Sequence, residues 1–194
     1  LDWCSDFVLE YLTNYLDKYN IRCTFFCTHY SKAIESIINN KNFEFGLHPN
    51  FNPVLKGEVV DDYRSIISRL HDIYPKATSV RSHSLTYSSV IHEYYNSIGI
   101  SHESSLLFPY FNNKYIFPIK MWDNLIRVPY FFCDYVEIKY LHKMLDVNKL
   151  IKFDGLKVFD FHPIHIFLNT EKVERYEKSK VYKENYSYLK KNKF

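Results

Sequence analysis

Four short clusters in this 194-residue chain hold side-chain types and spacings that support chemistry. The first is Gly46-Leu47-His48-Pro49-Asn50-Phe51-Asn52. An imidazole directly after a strand, followed four residues on by the Asn52 carboxamide, can hold one metal ion. Histidine suits zinc, cobalt or iron, and asparagine is a weaker oxygen ligand. The same residues also fit an ordinary turn, which Pro and Asn both favour. The second cluster is Asp160-Phe161-His162-Pro163-Ile164-His165, where strand alternation puts Asp160 and His162 on one face. A histidine there can act as a general acid near neutral pH, or simply end a strand on a backbone hydrogen bond. In the third, Val80-Arg81-Ser82-His83-Ser84, the arginine can clamp a carboxylate at two points or make a surface pair. The fourth is the opening Leu1-Asp2-Trp3-Cys4-Ser5-Asp6; its acids are either site residues or acids favoured by a helix amino end. Glycine-rich phosphate loops, dinucleotide fingerprints and the G-x-S-x-G elbow are absent.

The elements that must position these residues alternate. A helix is expected over 5–19, capped by Ser5, with Val8, Leu12, Tyr15, Leu16 and Tyr19 at helical spacing. A buried strand follows at 21–28, a helix at 31–40, and a short strand at 43–47 that delivers His48. A loop over Pro49, Pro53 and Gly57 leads to an amphipathic helix over 63–73, closed by Pro75. Strands are then expected at 77–81, 100–104, 125–132 and 157–161, with helices at 87–98 and 135–145. Alternation of this kind implies a parallel sheet or barrel wrapped by helices. Ligands in such folds bind at the carboxyl ends of strands, where 48–52, 81–83 and 162–165 all lie.

Composition narrows the class. Hydrophobic residues at 46% and charged residues at 24% exclude general disorder, and the length suits one domain over 1–194. The net charge of +3 is concentrated in a basic tail, roughly 178–194, through Lys178, Lys180, Lys183, Lys190, Lys191 and Lys193. A solvated, fraying end is expected there rather than a nucleic-acid surface. The 18 Tyr and 16 Phe suit either a sugar cleft or a core. Cys23 and Cys27 have poor zinc-finger spacing, so the four cysteines read as free thiols in a reducing compartment. No apolar run reaches membrane-spanning length, and no secretory leader is visible. The chain opens on Leu1 rather than Met, which leaves its true start open.

Taken in order, the pieces resemble the polysaccharide deacetylase family, the NodB-homology domains of carbohydrate esterase family four. They are Asp2-Trp3 before a helix; Ile21-Arg22-Cys23-Thr24-Phe25-Phe26; Phe43-Glu44-Phe45-Gly46-Leu47-His48; Arg81-Ser82-His83-Ser84; Gly99-Ile100-Ser101-His102-Glu103-Ser104-Ser105; and Val158-Phe159-Asp160-Phe161-His162-Pro163. The resemblance implies an α/β fold, a distorted (β/α) barrel whose first strand is largely missing here. It implies a metal-dependent hydrolase removing N-acetyl groups from a glycan or amino-sugar precursor, working in surface polysaccharide biosynthesis in the cytoplasm. Carried over by position, Asp2 and His48 are metal ligands and Asn52 stands where the family has a second histidine. Arg81 orients the base, Asp134 pairs with that arginine, and His162 is the general acid. His83, in place of the family's proline, and Trp3 become substrate contacts. The metal is expected to be zinc, with cobalt, nickel or iron as alternatives. The family's base aspartate precedes the metal aspartate by one or two residues and is not in this chain. The competing expectation is a non-catalytic carbohydrate-binding or scaffold protein on the same fold. Oligomeric state is left open.

Overall fold

Burial selects the elements. In the computed structural model, which describes residues 1–2, 4–112, 115–141, 147–152 and 154–194, helix α1 (Asp6–Lys18) turns Val8, Leu9 and Leu12 onto one buried face. Ser5 stands at the expected cap position, but its hydroxyl makes no capping bond. Asp6 instead accepts a hydrogen bond from Ser31 Oγ at 2.6 Å, which ties α1 to the start of α2 (Lys32–Ile37). Between them runs β1 (Cys23–Cys27), which pairs in parallel with β2 (Phe43–Leu47) over their full lengths. Gly46 is required in β2 by close approach: a Cβ there would lie 2.6 Å from Ser79 Oγ and 2.9 Å from the Phe26 ring.

A short helix, α3 (Asn52–Leu55), interrupts the loop expected after His48. Helix α4 (Tyr63–Ile73) has the expected bounds, capped by Asp62 through Arg64 N–H and Ser65 N–H. It returns the chain to β3 (Ser79–Val80), and α5 (Ser89–Ser97) leads on to β4 (His102–Glu103). The strand expected over 125–132 is split. Pro129 cannot donate to a ladder, so β6 (Ile126–Arg127) and β7 (Phe132–Cys133) belong to different sheets. A hairpin the sequence reading missed places β5 (Ile119–Lys120) antiparallel to β6, its turn using Asn124 at φ 70°. Strand β7 pairs in parallel with β8 (Phe159–Asp160).

The result is a mixed α/β fold with a mostly parallel six-stranded sheet, ordered β1-β2-β3-β4-β6-β5, beside the β7-β8 pair. Strand pairing does not close into a continuous barrel among the described residues. The expected helix over 135–145 begins as α6 (Asp134–Val136), runs into a π turn over Glu137–Leu141, and thereafter lies outside the described residues until α7 (Val147–Lys152). All four cysteines are free, and burial pushes the Cys27 thiol up to about 11, which keeps it protonated and inert. No described helix is long and apolar enough to cross a membrane.

The carboxyl-terminal segment is not the fraying end its charge implied. After α8 (Pro163–Leu168), helices α9 (Val173–Lys180) and α10 (Tyr186–Lys191) pack back onto the domain, with Leu189 fully buried and Ser179 nearly so. Phe194 N–H donates to Leu168 O at 2.9 Å, and the Lys193 ammonium lies 3.9 Å from the Tyr11 ring centroid. Lys178, Lys180, Lys183, Lys190 and Lys191 are exposed, while Leu189 docks and Lys193 lies over aromatic rings. Leu189→Ala should therefore cost about 2–4 kcal/mol in chemical denaturation; a change below about 0.5 kcal/mol, normal for an exposed site, would show that the tail does not dock.

Candidate active site

The histidines and the arginine of the site sit just past strand ends. His48 N–H continues the β1–β2 ladder by donating to Cys27 O at 2.8 Å, and Arg81 N–H donates to Leu47 O at 2.9 Å. His83 N–H donates to Pro49 O at 2.9 Å, so the loops after β2 and β3 are laced together. Thr28, just beyond β1, turns its hydroxyl toward the backbone oxygens of Leu1 and Asp2 at 3.3 and 3.4 Å. These contacts converge the side chains of three separate segments.

The Asp2 carboxylate is the meeting point. Its Oδ1 lies 3.2 Å from His48 Nε2 and 2.9 Å from His83 Nδ1, and its Oδ2 lies 3.9 Å from His162 Nε2. The His48 and His83 rings stand perpendicular, 5.5 Å between centroids. Burial pushes the Asp2 carboxyl up, but the hydrogen bonds from His48 and His83 outweigh it and hold it well below the usual carboxylate range. Burial also drives His48 down to about 4, against the pull of Asp2, so its imidazole is neutral at physiological pH. His48 Nδ1 is buried with no hydrogen-bond partner among the described residues. Asp2, His48 and His83 bring one ligand atom each within 4.8 Å of one another, a donor set able to hold a cation.

His162 is tuned the other way. Its Nδ1–H donates to Asp134 Oδ1 at 2.6 Å and its backbone N–H to Asp134 Oδ2 at 2.7 Å. Burial opposes its charge, but the Asp134 carboxylate, with Asp160 and Asp2 beyond it, lifts it to about 9. It is therefore an imidazolium at neutral pH, with Nε2–H turned toward Asp2.

Two partnerships differ from the expected ones. Asp134 pairs with His162 rather than with Arg81, because it follows β7, the direct neighbour of β8. Arg81 pairs with Asp160, donates to Ser104 O and Ser104 Oγ at 3.0 and 2.9 Å, and lies between the rings of Phe26 and Tyr130. That guanidinium holds the buried Asp160 carboxyl below its ordinary value. Strand alternation places Asp160 on the face of His162 without giving it the partner it has here. Asn52 opens α3 and its amide donates to Ser84 Oγ at 2.9 Å, beside His83. His83 itself contacts Asp2, a role the sequence reading did not give it. Trp3 lies outside the described residues. A cavity of about 810 Å³ opens beside the cluster, lined by Asp2, His48, Arg81, Asp160, His162 and apolar groups of β1 and β8.

With this geometry in view, sequence and structure comparison agree. The model of the WbmS-like polysaccharide deacetylase family matches residues 1–180. The chain belongs to that family. A Bordetella bronchiseptica structure described as a candidate polysaccharide deacetylase involved in O-antigen biosynthesis, WbmS, is 32% identical, with a TM-score of 0.92 over 100% of this chain and 81% of that one. A Mycobacterium smegmatis structure described as a candidate polysaccharide deacetylase shares 16% identity, covering 91% of this chain and 60% of that one, with a TM-score of 0.50, which is a likeness of fold alone. No curated protein sequence matches.

Beneath His162, His165 packs between Tyr135 and Tyr176 with Nδ1 3.2 Å from Thr170 Oγ1, and burial drives it down to about 4. Its folded value is depressed, so the unfolded chain binds the proton first. The stability it contributes is present above about pH 6.5 and is lost as pH falls towards 4. His48 acts with the same sign. Replacing His165 with Gln should flatten the fall in unfolding free energy between pH 7 and 5 by on the order of 2 kcal/mol. An unchanged slope would mean that His165 is not buried in its neutral form.

Proposed function

We infer that this chain is a metal-dependent N-deacetylase of a glycan or amino-sugar precursor. The observation that carries the reading is the convergence of Asp2, His48 and His83 on one point, with the His162 imidazolium 3.9 Å from the same carboxylate. A carboxylate with two imidazoles and an open fourth direction is the donor set of a catalytic zinc site. The neutral state of His48 and the carboxylate state of Asp2 are the forms that bind a cation. Zinc is accordingly the first candidate, ahead of cobalt, nickel and iron. Bound there, a divalent ion supplies Lewis-acid polarisation of an acetyl carbonyl and of water.

The chain's own residues supply the acid and the walls of the site. His162 is charged before the reaction and can give its Nε2 proton to the amide nitrogen as water adds to the acetyl carbon and the C–N bond breaks; the proton the water loses passes to solvent, leaving an amine on the sugar and acetate. Asp134 keeps that ring oriented through Nδ1 and favours its reprotonation from solvent afterwards. The Arg81–Asp160 pair braces the base of the cavity against β4. Phe26 and Phe161 offer apolar walls for a pyranose ring. The description of the 32% identical Bordetella protein supports a surface polysaccharide, of the O-antigen kind, as the substrate class.

Three substitutions test this. His162→Ala should lower acetate release from N-acetylated glycan fragments by about a hundredfold or more while thermal unfolding stays cooperative; full turnover would remove His162 from the chemistry. On the binding side, His83→Ala should weaken zinc affinity by more than about tenfold, whereas Asn52→Ala should change it by less than about threefold. The reverse order would return the third ligand position to Asn52.

A further inference from the structure

The turn that presents His83 is held from behind by buried groups that the reaction does not use. Ser82, between Arg81 and His83, is only 1% exposed. Its N–H leaves the β3–β4 ladder, since Ser104 O, next along β4, is taken by Arg81 Nε. That N–H donates instead to the hydroxyl of Ser105, at 2.9 Å. The Ser82 hydroxyl is met separately by Tyr95 OH, also at 2.9 Å. Ser105 is 1% exposed, and its own N–H donates to Glu103 Oε1 at 2.5 Å. Glu103 is fixed in turn, because Oε2 accepts from Arg127 Nε at 2.6 Å.

Beyond Ser82 the backbone is strained. Ser84 and Leu85 take φ of 54° and 59°, left-handed values that suit glycine and disfavour a bulky leucine. Such a conformation persists only where the surroundings fix it. The two histidines facing Asp2 also differ in support. The side chain of His48 is 12% exposed and wedged in place, while that of His83 is 28% exposed and depends on its backbone for aim.

We propose that Ser105 is a positioning residue for the cation site, its hydroxyl fixing Ser82 and thereby the reach of His83 toward Asp2. The inference rests on the reading of His83 as a ligand. Relayed through Ser105, the Glu103–Arg127 pair becomes the outer anchor of the same arrangement, in the way that groups behind metal ligands set their orientation.

The test compares Ser105→Ala with Tyr95→Phe. Each removes one hydrogen bond from Ser82, but only the first frees its backbone. Zinc affinity is measured by competition with a chelating dye, and cobalt(II) absorption reports ligand geometry. Ser105→Ala should weaken zinc binding by about tenfold and alter the cobalt spectrum, while Tyr95→Phe stays within about twofold of the parent. Parent-like affinity in Ser105→Ala, or equal losses in both variants, overturns the proposal. Should Ser105→Ala not fold, Ser105→Cys, of similar volume and weak as an acceptor, is read by the same criteria. His83→Ala serves as reference: if it leaves zinc binding unchanged, the ligand assignment has failed and the proposal with it. If His83→Ala weakens binding and Ser105→Ala does not, the positioning role alone has failed.

Discussion

One carboxylate sets the terms for the rest of the site. Asp2 is half-buried and faces imidazoles from three other segments: His48 after β2, His83 after β3 and His162 after β8. Taking an ionised carboxyl out of water costs several kcal/mol unless opposite charges or hydrogen-bond donors surround it. Here the donors come from strand ends that only the parallel array brings together, so the fold and the charge state of Asp2 are one arrangement. The same concentration of nitrogen and oxygen donors is what a divalent cation requires.

The histidines at this rim show how neighbours, rather than residue type, decide chemistry. His48 and His162 are both half-buried, yet one is driven down to about 4 and the other up to about 9. The difference is Asp134, which accepts from both the ring and the backbone of His162. In the function proposed above, a neutral imidazole beside Asp2 serves as ligand and the charged one across from it as acid. Pairs of groups pushed apart in this way mark sites of acid–base chemistry. Arg81 completes the balance by neutralising Asp160, which would otherwise be a second buried anion beside Asp134.

Much of this was legible in the residues. Apolar periodicity located β2 and α4 to the residue, and the rule that ligands gather at strand carboxyl ends pointed to His48, Arg81 and His162. What escaped was set by long-range pairing. The exchange of partners, Asp134 to His162 and Arg81 to Asp160, follows from β7 lying next to β8, which no local pattern encodes. His83 read as a substitute for proline in a loop, because its contact with Asp2 spans 81 positions of the chain and lies beside two strained backbone residues. The basic tail misled for a different reason: five exposed lysines concealed the buried Leu189 and the packing of Lys193 over Tyr11.

Anomalous X-ray scattering from crystals grown with zinc tests the central claim most directly. The predicted result is a single strong peak at roughly 2.0–2.2 Å from an Asp2 carboxylate oxygen and from one ring nitrogen each of His48 and His83. A peak held elsewhere, or none at the Asp2 carboxylate under saturating zinc, would contradict it.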